Sequence, residues 1–295
     1  MIGTILNIIF SGVFHASTLF LVAAGLQLIF GVQKIFNLAC GSFYALGAYV
    51  GIVFVKAFVG AGLPSPLFIV PLILAGLFLV FLGPLVERGL IKFVYDRDET
   101  FQLLLTFAIV LMIEDIIKFT WGTSPQTTGG VDLIYGRLNF FGATLPVYNL
   151  IVILCSLIIA ALIGYILLNT RFGRIIRATA DNRNMSEALG INMKRVYIKV
   201  FTLGTILGTI GGALVVPSSA AVSEMGVELI VLAFAVVVIG GLGSMKGAFV
   251  GALVVGVLKS IAIATYPELE MLTIYLIVIA VLVIKPQGLF GGSRA

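Results

Sequence analysis

Apolar residues fill this chain in long blocks, separated by short polar stretches rich in Gly, Pro and charge. The blocks lie at about 5–31, 37–59, 66–86, 101–121, 147–168, 196–217, 227–242, 247–265 and 270–285. Most reach the roughly 18 to 20 residues that carry a helix across about 30 Å of hydrocarbon. They are solid rather than alternating, which predicts helices and speaks against the alternating strands of a membrane barrel. The pattern predicts an all-α fold: one polytopic transmembrane domain over 1–295, a bundle of eight or nine transmembrane helices. Broken or re-entrant helices are expected at two places. Block 227–242 is short and runs into Gly241-Leu242-Gly243-Ser244, and block 37–59 opens in Gly-containing sequence.

Composition agrees with the pattern. Of the 295 residues, 60% are hydrophobic and only 11% charged, and the mean hydropathy is +1.19. No polar segment is long enough for a separate soluble domain. The largest, 122–146, is a loop rich in Gly, Thr and Pro, expected outside the cell. The opening MIGTILNIIF has no basic n-region and no small-residue cleavage site, so it reads as the first span rather than a removed signal peptide. Cys40 and Cys155 lie inside apolar blocks and read as small packing residues, not as a disulfide framework.

Basic residues set the expected orientation. With 169–195 placed inside the cell, all but four of the 18 Lys and Arg residues fall on the inner side, Arg294 among them. The four are Lys56, Lys118, Arg137 and Lys259. Nine spans then put the N-terminus outside and the C-terminus inside. The net charge of +5 follows from this bias and calls for no nucleic-acid partner.

Polar groups inside the apolar blocks are informative, because facing lipid is costly for them. Asn7, Ser11, His15 and Thr18 share one face of the first helix, so that face turns to a neighbour or to a pore. His15 is the only histidine, and one histidine builds no metal site without partners. Glu114 and Lys118 stand at i,i+4 in the fourth block and can pair, beside Asp115. The pair is either structural, with Lys118 snorkelling toward the level of Trp121, or a contact for solute. Glycines four apart (Gly47 and Gly51; Gly204, Gly208 and Gly212; Gly247 and Gly251) predict close helix packing. An echo links 41–51 with 243–256, each a Gly-Ser followed by a small-residue helix, as an internal repeat or shared composition would produce.

Catalytic signatures are missing. One histidine near the start supports no Ser/His/Asp arrangement. The stretch 251–260 begins like a phosphate loop, but Lys259 comes two residues too late. The chain is therefore expected to hydrolyse no ATP. What remains is a polar island, NTRFGRIIRATADNRNMSEALG at 169–190, carrying Arg171, Arg174, Arg177, Asp181, Arg183 and Glu187. Asn184 and Glu187, three apart, resemble a capping box, and Gly190 supplies a stop. Such a short amphipathic helix lies on anionic lipid, fits a groove on a partner, or is simply a solvated loop.

These residues resemble the branched-chain amino acid ABC transporter permease family, and within it the LivH-type subunit. The island GRIIRATADNRNMSEALGINMKRV (173–196) is similar to the family's coupling loop. FNLACGSFYALGAYVG (36–51) is similar to its early motif, AFAVVVIGGLGSMKGAFVGALVVG (233–256) to its late one, and KPQGLFG (285–291) to its tail. The matches fall in the family's order and span nearly the whole chain. One departure stands out: the early motif commonly reads Ala-His-Gly, and here it is Ala39-Cys40-Gly41.

The resemblance implies an ABC importer permease of the bacterial or archaeal cytoplasmic membrane, not an enzyme, with no cofactor bound by this chain. Its implied partners are a second related permease, two cytoplasmic ATPase subunits that use ATP and Mg, and an external solute-binding protein. The coupling loop is 170–195, with 178–190 as its helix. Leu189 and Ala188 are the implied apolar contact, ended by Gly190, with Glu187, Arg183 and Asp181 as a charged rim. Asn37, Ser42, Tyr44 and Ser244 are the pathway candidates. Glu224, Glu228, Glu268 and Glu270 are the candidates for docking the binding protein. The cargo expected is a branched-chain or other hydrophobic amino acid, the alternatives being urea, short amides or aromatic acids in the same machine. A secondary transporter driven by ions would need carboxylates at mid-depth, and Glu114 and Asp115 sit near the outer end of their block.

Overall fold

A computed structural model describes residues 2–62, 67–95, 97–130, 134–140, 142–285 and 287–290. Residue 66 (where the third block was expected to start), Arg294 and the side chain of Glu270 lie outside what is described. Helices occupy every expected block. In chain order they are α1 (Ile2–Gln33), α2 (Ala39–Gly60), α3 (Ile69–Phe78), α4 (Leu82–Gly89) and α5 (Glu99–Trp121), then α6 (Val147–Asn169), α7 (Arg171–Asp181) and α8 (Arg183–Ala188). They continue with α9 (Met193–Val215), α10 (Met225–Gly240), α11 (Met245–Thr265) and α12 (Glu270–Ile284). Among the described residues, seven segments are long and apolar enough to cross a membrane: Gly3–Gln33, Ala39–Gly60, Ile69–Phe93, Glu99–Trp121, Val147–Asn169, Met193–Val215 and Met245–Thr265. The helices α10 and α12 are apolar but have only 16 and 15 residues, about 24 and 22 Å at the helical rise.

The helical ladder is interrupted at three places. Lys34 takes φ of 58° and ends α1 as a left-handed cap, its N–H donating to the Phe30 carbonyl at 2.9 Å. The chain then runs unwound to Asn37, with Ile35 and Asn37 buried. Only past this break does α2 start, beside Gly208, which is beyond the midpoint of α9. The third crossing is also interrupted. A 3-10 turn over Leu79–Phe81 joins α3 to α4, just before Pro84, which has no N–H to continue an α-helical ladder. The short α10 ends in a turn with Gly241 and Gly243 at positive φ (96° and 82°).

The core is built on α1, α2, α9 and α11: α1 packs along α11 and α9, and α2 along α9. Of the crossing segments, α9 is the most enclosed (72% buried) and α6 the least (17%). Interhelical hydrogen bonds pin these contacts. The Ser260 hydroxyl donates to the Ile8 carbonyl at 2.7 Å, Thr209 to Gly76 at 2.9 Å and Tyr148 to Leu214 at 2.6 Å. The glycine spacing finds its use at Gly212, where an added Cβ would fall on the Tyr44 carbonyl. That lets two backbones approach where lipid offers no hydrophobic drive between helices.

The loop 122–146 holds more structure than its composition suggested. Its second half forms a hairpin, β1 (Arg137–Phe140) with β2 (Ala143–Pro146), antiparallel with Leu138 opposite Leu145. Gln126 forms a bridge with Ala221, tying the loop to the connection between α9 and α10. The echo between 41–51 and 243–256 does not share a register. Ser42 is the fourth residue of α2, whereas Ser244 stands outside α11 as its N-cap, accepting from the Gly247 N–H at 3.1 Å.

Candidate functional site

Two regions concentrate polar chemistry, and α9 connects them. It starts at the island and ends 23 residues later at the rim of a cavity, about 35 Å away at the helical rise.

At the island, α6 ends at Asn169 and Thr170 restarts the helix. The Thr170 hydroxyl accepts from the Gly173 N–H at 3.1 Å, and the Arg177 guanidinium donates to the Leu167 carbonyl. The expected single helix over 178–190 is instead two pieces. Asn182 leaves the helical region (φ −149°, ψ 102°), and its Oδ1 accepts from the Met185 N–H at 2.9 Å, capping α8. The cap is thus Asn182 and not Asn184: the three-residue spacing of Asn184 and Glu187 mimicked a capping box two residues too late. Gly190 does end the segment, at φ of 83°, with the Ile191 N–H reaching back to the Ser186 carbonyl at 3.1 Å. Only glycine adopts that φ without strain.

Arg183, Glu187, Ala188, Leu189 and Gly190 are all exposed. Leu189 is 75% exposed and Met185, four residues earlier, 59%. Met185 therefore joins Leu189 in an apolar face that sequence reasoning had assigned to Ala188 and Leu189. Their i,i+4 spacing puts the two side chains on one side of the segment. A chain of rings fastens this segment to the bundle. The Arg183 guanidinium lies 5.6 Å from the Tyr197 ring centroid, and Tyr197 packs on Tyr95 at 4.8 Å. Tyr95 in turn donates to the buried Glu87 at 2.7 Å. Burial and that carboxylate push the Tyr95 phenol up. Gln33 at the end of α1 donates to the Tyr197 carbonyl at 3.0 Å. An open cavity of about 670 Å³ between these elements carries Arg88, Lys92, Lys194 and Arg195 on its walls.

At the far end of α9, a cavity of about 240 Å³ opens between α1, α2, α10, α11 and the connection after Val215. Its lining is polar at His15, Thr18, Tyr44, Ser219, Glu228 and Lys259, and apolar at Leu19, Val215, Val222, Met225, Leu229 and Leu232. Glu228 Oε1 and Lys259 Nζ stand 3.7 Å apart.

The polar stripe of α1 thus turns inward, and its His15 and Thr18 reach this cavity. Of the four pathway candidates, Tyr44 lines it. Asn37 is fully buried at the break before α2, its Oδ1 accepting from the Ala39 N–H at 3.1 Å. Its Nδ2 has no hydrogen-bond partner among the described residues. Ser42 is buried beside a narrow crevice that also touches Glu114 and Ser223, and Ser244 caps α11. Among the four acids, Glu224 and Glu268 are exposed, while Glu228 faces the cavity. Lys259 entered no sequence-based site: it lay in an apolar block with no polar neighbour at helical spacing. Glu114 and Lys118 form the expected pair on α5. Among the described residues, no group of three or more His, Cys, Asp or Glu is placed to hold a metal ion.

The described residues form a bundle of apolar helices with several breaks and a cavity of about 240 Å³ at one end of α9. The arrangement is similar to that of a metal-chelate type ABC transporter solved in an inward-facing conformation. The TM-score is 0.51 at 16% identity, over 95% of this chain and 85% of that one. The fold is that of an ABC importer permease. The sequence carries the assignment further. Residues 8–282 match the family model described as branched-chain amino acid transport system, permease component, and the chain belongs to that family. It is 26% identical to the high-affinity branched-chain amino acid transport system permease protein LivH of Salmonella typhimurium, over 96% of this chain and 94% of that protein. It is also 26% identical to a probable branched-chain amino acid transport permease protein, LivH, of Methanocaldococcus jannaschii, over 95% and 90%. Membership makes this chain a multi-pass, non-catalytic transport component of an ABC system, which works with ATPase and binding-protein partners.

Proposed function

We propose that this chain forms part of the pathway by which a branched-chain or other hydrophobic amino acid crosses the cytoplasmic membrane. The observation that carries the cargo is the mixed lining of the cavity. An aliphatic amino acid has a small charged head and an apolar tail. A pocket lined by Glu228 and Lys259 together with Leu19, Leu229 and Leu232 suits both ends. Urea and short amides carry no ionised groups for Glu228 and Lys259 to meet. The names of the relatives point to the same solute.

The basic residues support an orientation with the island inside and the cavity mouth outside. An external binding protein then delivers cargo at the cavity end, where Glu224, Glu268 and Glu270 are the acids available for docking, with Glu228 deeper at the mouth. At the other end, α8 seats in the ATPases through Leu189, Ala188 and Met185, with Arg183, Glu187 and Gly190 shaping the contact. A two-state movement of that segment passes through Arg183, Tyr197 and Tyr95 to α9 and α1, which also wall the cavity. A second, related permease completes the pathway as a heterodimer.

The test is a thermal-shift panel on the cognate binding protein, followed by uptake of the stabilising solute into proteoliposomes holding the full assembly. Stabilisation by leucine, isoleucine or valine is the expected result. Stabilisation by urea or an amide alone would overturn the cargo.

A further inference from the structure

Glu228 and Lys259 are 31 residues apart in sequence, on α10 and α11, yet both line the cavity and stand 3.7 Å apart. That separation is an ion pair without a formed hydrogen bond. Lys259 is largely enclosed, its side chain 15% exposed, while Glu228 is half open at 50%. A lysine held in an apolar helix is costly unless an opposite charge stands near. Glu228 is a carboxylate that stands beside it.

An α-amino acid carries its own two charges about 3 Å apart across one Cα. That spacing is close to the spacing of the protein's pair. Such a head group can lie against the pair with each charge facing its opposite, and no charge is left alone. A solute with a single charge cannot do this, because it satisfies one residue and strands the other. We infer that Glu228 and Lys259 are the charge filter of the pathway: the cargo ammonium takes the Glu228 carboxylate and the cargo carboxylate takes the Lys259 ammonium. After the cargo leaves, the pair closes on itself. The exchange of one ion pair for two keeps net binding weak, as passage requires release as well as entry.

The inference rests on the amino-acid reading of the cargo, and the experiment separates the two. Radiolabelled leucine uptake is measured in proteoliposomes holding the full assembly with its binding protein. Membrane abundance and co-purification of the ATPases report folding for each variant. Lys259→Met and Glu228→Gln are each expected to lower uptake about tenfold or more, and Lys259→Arg to keep at least half, since charge is retained. The double variant Glu228→Gln with Lys259→Met decides. If the pair only stabilises the fold, removing both charges leaves none unpaired, and uptake returns to within about twofold of the parent; that result would overturn the inference. If both groups hold cargo, the double variant stays about tenfold down or lower. Where a single variant fails to fold, the double variant still carries the test, because it buries no lone charge. No leucine uptake by the unaltered assembly would instead sink the cargo reading.

Discussion

The island at 170–195 and the cavity beside Glu228 hold charge in opposite ways. At the island, charged residues are neighbours in sequence, stand in solvent and surround a short apolar face made by Met185 and Leu189. At the cavity, His15, Glu228 and Lys259 come from three helices, and the charged pair meets only because α10 and α11 pack together. Charge at the island is open to water, even where Arg183 also lies against Tyr197 and Arg177 donates to the Leu167 carbonyl. Charge in the bundle must be paired or used. A local cluster thus suits a surface that another protein grips, while an assembled cluster suits a route that a solute follows.

The largest expected effect comes from removing the local region outright. Deleting 181–190 should leave insertion intact and lower ATP-driven uptake by about 100-fold, the scale of a full coupling free energy. Uptake at the parental rate would show that force enters elsewhere. The assembled region is broken instead by Gly212→Val. Its side chain would strike the Tyr44 carbonyl and part α2 from α9. We expect a loss of about 1 to 3 kcal/mol, read as a lower unfolding temperature in detergent, with uptake lost alongside. An unchanged melting curve would mean the two helices give way easily.

Leu189→Asp sharpens the comparison by leaving the fold alone. The residue is 75% exposed, so stability should hold while recovery of the ATPases falls about tenfold, as for truncation of an interface anchor. Full recovery would move the contact to Met185 or away from α8. The smallest effect belongs to Glu114→Ala with Lys118→Ala. That pair is on one helix, and Lys118 reaches solvent. Uptake is expected to stay within about twofold of the parent, in keeping with the small worth of partly exposed ion pairs. A clean loss of uptake in a stable protein would turn α5 into a second pathway wall.

Much of the fold was legible because lipid leaves the backbone few choices. Continuous apolar blocks must satisfy their own N–H and C=O groups, so block positions and helix positions agree to within a few residues. The breaks were legible only in part. Block 37–59 was expected to be broken, but α2 runs unbroken from Ala39 to Gly60; the unwound stretch from Lys34 to Asn37 lies before it and depends on neighbours such as Thr106, whose hydroxyl donates to the Phe36 carbonyl at 3.3 Å. The hairpin at 137–146 was hidden because its strands are short and its alternation weak. The site divided along the same line. Leu189 and Glu187 could be named from spacing; Lys259 could not, since its partner is on another helix.

By itself the sequence determined an all-helical membrane chain, its family, and the soluble island that interrupts it. Those properties are carried by runs of adjacent residues, where solvation energy acts on each segment separately. Only the tertiary structure decided that Glu228 faces Lys259, that Tyr44 rather than Asn37, Ser42 or Ser244 reaches the cavity, and that Asn182 divides the island's helix. The first two depend on which faces meet when backbones pack closely. The third depends on one side chain competing for a backbone N–H, a choice that composition does not make.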